Sequence, residues 1–294
     1  MLKTLDRSAV KRVTEELVAL PTLPLVTSRL LEAVAHPETS AEEIGRILSL
    51  DAALTARTLR LANSDFYGFP RKVGSVDLAV VVLGSNTIRD LVLSASVFRT
   101  LAGDASSMED LWNHSLACGV AARSLAERSR YRLSGEAYAA GLLHDIGKVV
   151  LHQTDPSRFQ AVLAMVEEQG VASEEAERGL FGSSHSEVGA WLAERWDLPA
   201  DLVEAIACHH RPETATRNPA LAALVHVANA LAEEAGFAWP KRGSASPQSP
   251  YAWELVESDE RRRAVLLPSL VEDVIRETGR ERALFAEFRG SQEG

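Results

Sequence analysis

Hydrophobic positions along this chain recur mostly at helical spacing, and the alternation a half-buried strand needs is hard to find. The stretch "PTLPLVTSRLLEAVAHP" predicts a helix between Pro24 and Pro37, since a proline refuses the helix at each border. Another helix is predicted over 8–20, stopped by Pro21. Ser40, with Glu43 three residues later, predicts a capped start for "AEEIGRILSL". Asp51 is the expected N-cap of "AALTARTLRLAN", and "SDFYGFPRKVGS" reads as a loop. Val76 to Leu83 reads as a helix that ends at Gly84, and a further helix covers about 85–101. After the boundary stretch "LAGDASSMED", helices are predicted at about 108–129, 135–152, 156–169, 184–196, 200–210 and 218–235. "WPKRGSASPQSP" reads as a linker, and 261–289 as a charged, solvated helix that caps the chain or faces a partner. The expected fold class is all-α. Its parts are 1–105, a second helical part 106–237, a mobile loop or linker 238–260, and a C-terminal helical cap 261–294.

Composition narrows the classes of function. Hydrophobic residues make up 46% of the 294, enough for a sizeable core and too many for global disorder. A formal net charge of −10 speaks against a nucleic-acid binder that relies on a broad basic surface. It leaves room for a local phosphate site. Cys118 and Cys208 are the only cysteines, so no disulfide framework is expected and a reducing cytoplasm is the natural home. No run approaches the ~18 apolar residues of a membrane helix, so no membrane partner is expected.

The histidines carry the candidate chemistry. Steps of three and four place His114 on one apolar face with Leu111, Cys118 and Leu125. Alone, His114 reads as a core histidine satisfied by one hydrogen bond. His144 and Asp145 stand side by side in the apolar run "AAGLLHDIGKVVL", about 100° apart around one helix. A buried Asp needs a metal, a cation or several donors, so a hydrogen-bonded His–Asp pair and a metal seat are equal readings there. Lys148 follows as a group that could meet a phosphate.

Ser184 with Glu187 forms a capping box that places His185 in a first helical turn. His209 and His210 end the next helix, where a cationic His also suits the dipole. Asn229 points inward from "LAALVHVANALAEE", His226 reads as structural, and His36 and His152 as exposed. Together, five imidazoles and one carboxylate on inward-facing surfaces tip the balance to a divalent transition metal. Nitrogen ligands around a shared carboxylate suit Fe, Mn, Zn or Ni over Mg or Ca. A bridging Asp145 could hold two ions and activate a water for attack on phosphorus.

These spacings resemble the HD superfamily of metal-dependent phosphohydrolases, with His114, His144 and Asp145 on the pattern and Asn229 where the family has its late Asp. His185, His209 and His210 match the additional ligands of the HD-GYP subgroup, which cleaves cyclic dinucleotides, and Lys148 matches the lysine of its HDIGK motif. The segment "HHRPETATRNPALAAL" carries no Gly-Tyr-Pro signature. The N-terminal half is similar to the HDOD family. Leu20-Pro21, Leu23-Pro24, Asp51, Asn63-Ser64 and Leu83-Gly84 carry that resemblance, over about residues 15–235.

The HDOD resemblance implies a multi-helical fold in which an N-terminal helical subdomain packs on an HD-like one. It also implies a bacterial signal-transduction module that has lost hydrolysis and binds signalling proteins such as sensors or kinases. A nucleotide or phosphate is the candidate small ligand. The metal set implied is His114, His144, Asp145, His185, His209, His210 and Asn229, holding one or two ions, Fe or Mn ahead of Zn or Ni. The alternative is an active HD-type phosphohydrolase acting on a cyclic dinucleotide or nucleotide, with Asp145 and Lys148 as its catalytic candidates.

Overall fold

The structure is a computed structural model and describes residues 25–36, 38–50, 52–63, 73–89, 92, 108–129, 131, 134–196, 198–241 and 248–290. The helix expected over 8–20, the Asp51 cap, the loop over 64–72, Leu20-Pro21, Leu23-Pro24, Ser64 and most of 85–101 lie outside the described residues. Among the described residues every regular element is helical. The chain divides into two compact units, Leu23–Thr100 with Arg280–Gly294 and Met1–Thr22 with Leu101–Gly279.

The first unit contains α1 (Leu25–Ala35), α2 (Ala41–Leu48), α3 (Ala52–Ala62) and α4 (Val76–Leu83). Ser40 accepts the Glu43 N–H at the start of α2, the cap its hydroxyl was expected to make. Leu30, Ile44, Leu48, Leu54, Leu61, Val80 and Ile88 form one buried cluster, the apolar stripe of each helix turned onto the others. Asn63 ties the end of α3 to Val73, just ahead of α4. Its amide donates to Leu59 O and Val73 O at 2.7 and 2.9 Å, and its carbonyl accepts Val73 N–H at 2.7 Å. Gly84 closes α4 at φ 79°, a region only glycine enters readily.

The second unit holds α5 (Glu109–Arg128), α6 (Ser134–Leu143), α7 (Ile146–Thr154), α8 (Pro156–Gln169), α9 (Ser173–Phe181), α10 (His185–Arg195), α11 (Ala200–Cys208), α12 (Pro219–Ala232) and α13 (Pro250–Val256). The last helix, α14, runs Glu260–Gly290. α5 and α6 pack along their length, and α12 lies against α5, α6 and α13. α10 packs against both α7 and α11. A Cβ at Gly141 would meet Cys118 O at 2.5 Å, and one at Gly147 would meet His185 O at 2.0 Å. At these two crossings helix backbones touch. The ends of α5, α6, α7 and α10 therefore converge on one small volume.

The structure departs from the sequence expectation at five points in this unit. The single helix expected over 135–152 is two, broken at His144–Asp145. α9 was not expected at all, nor was α13 inside the span read as a linker. α12 ends at Ala232 in a π-turn, Glu233–Phe237, where Gly236 takes φ 90°. His152, expected at the surface, is buried with its ring edge-on to Phe159. No helix among the described residues is long and apolar enough to cross a membrane.

Candidate metal centre

His144 and Asp145 occupy the two-residue turn between α6 and α7, not adjacent positions on one helix. In a turn both side chains can aim at the same point, which 100° of helical rotation would prevent. Asp145 is 2% exposed and forms the hub. Its Oδ2 lies 3.3 Å from His144 Nε2, 3.5 Å from His114 Nε2 and 2.7 Å from Lys148 Nζ. Its Oδ1 lies 3.2 Å from His185 Nε2 and 3.9 Å from His209 Nε2. His210 Nε2 stands 3.0 Å from His185 Nε2. Every histidine singled out from the sequence is thus brought together around Asp145. Asn229 is buried too, with its amide oxygen on Cys118 Sγ at 3.8 Å.

The protons on these rings can be assigned from their other nitrogens. His114 Nδ1 donates to Phe237 O at 2.8 Å, His144 Nδ1 to Gly141 O at 2.7 Å, and His209 Nδ1 to Ile206 O at 2.8 Å. A carbonyl can only accept, so in each neutral imidazole the proton sits on Nδ1 and Nε2 is a bare lone pair. His185 Nδ1 lies 2.6 Å from Glu177 Oε2, which fixes the ring's orientation. The Nε2 lone pairs of His114 and His209, rings that burial keeps neutral, therefore face one carboxylate from its two sides. Among the described residues Asp145 Oδ1 has no hydrogen-bond donor. Acceptors turned on acceptors in a dry interior are unfavourable unless a cation sits among them. The donor set, nitrogen with a shared carboxylate, fits a divalent transition metal. The oriented Nδ1 partners are the outer contacts such sites need.

Electrostatics agree with that arrangement. Burial opposes ionisation of Asp145, but His144, Lys148 and His185 outweigh it and hold its carboxyl well below its ordinary range. Burial pushes His114 down to about 3, and pushes His209 and His210 well below the usual imidazole value. These three rings are neutral when folded but titrate near 6.5 once unfolded. The folded protein then binds fewer protons than the unfolded chain below that pH. The stability these rings contribute is complete above about pH 6.5 and falls as the pH drops below it. The metal-free protein is expected to show a Tm that declines steeply from pH 6.5 toward 4. A Tm flat over that range would contradict the neutral assignment.

Glu177 is the functional residue that sequence reasoning missed. It is 1% exposed on α9 and accepts both His185 N–H at 2.7 Å and the His185 ring. Arg178 on the same helix donates to Ser184 Oγ, at the head of the capping box that starts α10. Glu177→Ala is expected to weaken metal retention by ~10–100-fold, the usual loss for an outer-contact partner of a ligand. Glu177→Gln should lose less. Chelator competition measures both, and equal affinity in all three proteins would remove Glu177 from the site. His226, read as structural, is confirmed as such by its bonds. Its Nδ1 donates to His209 O at 2.8 Å, and Ser249 N–H donates to its Nε2 at 2.9 Å.

A cavity of about 320 Å³ opens beside Asp145. Lys148, Glu174, His210, Arg211, Asn229 and Trp239 are among the residues that line it. Lys148 Nζ sits 5.2 Å over the Trp239 ring, so its ammonium faces both the carboxylate and this space.

Helices that gather histidines around one aspartate of a His-Asp doublet define an HD-type helical protein. Residues 20–212 match the HDOD domain, and the chain belongs to that family. It is similar to an HDOD domain protein of unknown function from Geobacter sulfurreducens, with a TM-score of 0.78 and 28% identity over 92% of this chain and 96% of that one. A candidate signal transduction protein from Marinobacter aquaeolei VT8 is similar at TM-score 0.74 and 25% identity, over 92% of this chain and 64% of that one. A candidate phosphohydrolase from Shewanella amazonensis SB2B gives 0.68 and 25%, over 97% and 98%. By sequence, an uncharacterized protein of Treponema pallidum is 26% identical over 71% of this chain. The match covers 41% of that relative's length.

Proposed function

We propose that this chain is a regulatory HDOD module that binds signalling proteins, such as sensors or kinases, and keeps a divalent metal seat without efficient hydrolysis. The observation that carries the reading is the state of Asp145. Unprotonated imidazole nitrogens from both sides converge on it, which supports a retained cation. The position where the HD pattern has a second carboxylate holds Asn229, a neutral and weaker ligand. A seat with one shared carboxylate holds its ion less tightly and leaves more positive charge on it, which suits a structural or regulatory metal. The relation to a candidate signal transduction protein from Marinobacter supports the regulatory side.

The test has two parts. Protein purified without chelator, then reconstituted with Fe²⁺, Mn²⁺ or Zn²⁺, is analysed for metal content; a chain that stays empty with all three would sink the metal seat. The loaded protein is then assayed on cyclic di-GMP and on simple phosphodiesters. Turnover that disappears in Asp145→Ala would overturn the non-hydrolytic reading. A cavity next to Asp145, with Lys148 at its edge, is the observation that favours the second reading, a phosphohydrolase acting on a nucleotide or cyclic dinucleotide. The relation to a candidate phosphohydrolase from Shewanella supports it as well.

A further inference from the structure

Cys118 stands one helical turn after His114 on α5, on the same face and fully buried. Its Sγ lies 3.6 Å from His114 Nε2 and 3.8 Å from Asn229 Oδ1. One ligand atom each from His114, Cys118 and His144 all fall within 4.8 Å of one another. The contact of α5 with α6 brings this about, since the Cys118 carbonyl sits where a Cβ at Gly141 would be, and Gly141 O holds the His144 ring.

We propose that Cys118 is the anionic ligand that replaces the missing carboxylate at Asn229. The first metal position is then built on His114, Cys118 and His144, with Asp145 beside it, and its ion is Zn²⁺. This rests on the reading that the seat retains a metal. The spacings fit. Tetrahedral ligands at Zn–S about 2.3 Å and Zn–N about 2.0–2.1 Å stand about 3.5 Å apart. The observed separations are 3.6 Å for His114–Cys118, 3.5 Å for His114–Asp145 and 3.3 Å for His144–Asp145. Charge fits too. Asn229 contributes none, and a thiolate restores the second negative ligand beside Asp145.

Without metal the thiol has a resting partner, since the Asn229 carbonyl accepts its S–H. On binding, Zn²⁺ enters, the Cys118 proton leaves to solvent and the S–Zn bond forms, with no change of oxidation state. Thiolate in an otherwise nitrogen and oxygen set selects a borderline-soft ion over Mn²⁺ or Mg²⁺.

Cobalt(II) substitution reads this directly. The full-length protein loaded with Co²⁺ is expected to show an intense near-ultraviolet sulfur-to-cobalt charge-transfer band. That band should vanish in Cys118→Ala and persist in Cys208→Ala, whose sulfur lies in a separate cluster with Ala215 and Ala222. Cys118→Ala should also weaken Zn²⁺ retention at least about tenfold in chelator competition. Bound cobalt with no such band in the unaltered protein overturns the proposal without any variant, as does a band that survives Cys118→Ala. Those outcomes leave a retained metal standing. A protein that takes up no cobalt at all removes the metal seat itself, and this inference with it.

Discussion

Asp145→Ala is expected to strip the protein of metal and, in chelator-treated protein, to cost about 3–5 kcal/mol of folding stability. The two effects have different origins. Metal is lost because Asp145 is the one carboxylate that faces both His114 and His144 through Oδ2 and His185 and His209 through Oδ1. Stability is lost because Lys148, 5% exposed, is left with its ammonium buried and its 2.7 Å partner gone. An exposed pair such as Arg276–Glu277, screened by solvent, would show no comparable loss. Removing both ends of a buried pair with apolar groups is commonly near neutral. Asp145→Ala combined with Lys148→Met should therefore recover most of the lost stability in urea unfolding and none of the metal. If the double variant is as unstable as the single one, the cost lies in the cavity left behind and not in the orphaned charge. If Asp145→Ala keeps a full complement of metal, the aspartate is not the hub of the seat.

The parts of this site that could be read from the sequence are those that local rules determine. The capping box of Ser184 and Glu187 forms as its spacing requires, and it fixes His185 at the mouth of α10. Helical period placed His114 and Asn229 inward, and both are buried. The break at His144–Asp145 was hidden because neither turn residue is a glycine or proline and apolar residues flank it on both sides. The new helix begins at Ile146, and its backbone touches that of α10 at Gly147 and His185, a contact distant in sequence. α9 was hidden for another reason. "SEEAERGLF" buries Ser173, Ala176, Glu177 and Phe181, so half of its inward face is polar. A pattern that counts only apolar residues passes over it. The signals that could have found it are Glu174 and Glu175 in the first turn and Gly182 just past the end, in the left-handed conformation that closes a helix. Finding α9 would have placed Glu177 behind His185. Cys118 was seen on the His114 face, but its nearness to Asn229 spans the chain from α5 to α12 and exists only once the helices pack.

Gly147→Ala is expected to damage the fold and the metal seat together, although glycine-to-alanine inside a helix usually stabilises. A Cβ at 147 would sit 2.0 Å from His185 O and 2.6 Å from Gly189 N, both backbone atoms of α10 that cannot rotate away. Gly189 faces back across the same crossing, where its own Cβ would meet Gly147 N at 3.2 Å. The only relief is to move α10 off α7. Overpacking of this kind costs about 1–3 kcal/mol or more. The displacement acts on the chemistry because His185, the first residue of α10, lies 3.2 Å from Asp145 Oδ1. Metal affinity should therefore fall along with Tm, though no ligand has been changed. Gly179→Ala supplies the opposite sign. Gly179 sits within α9, and a Cβ there meets nothing within 4 Å, so the substitution should add about 0.4–1 kcal/mol by restricting the unfolded chain. Measured side by side by thermal unfolding and chelator competition, the two variants separate helix propensity from close approach. Equal stabilisation by both would mean that α7 and α10 are not in backbone contact. Loss of stability at Gly147 with metal affinity unchanged would mean that His185 holds its place independently of the crossing.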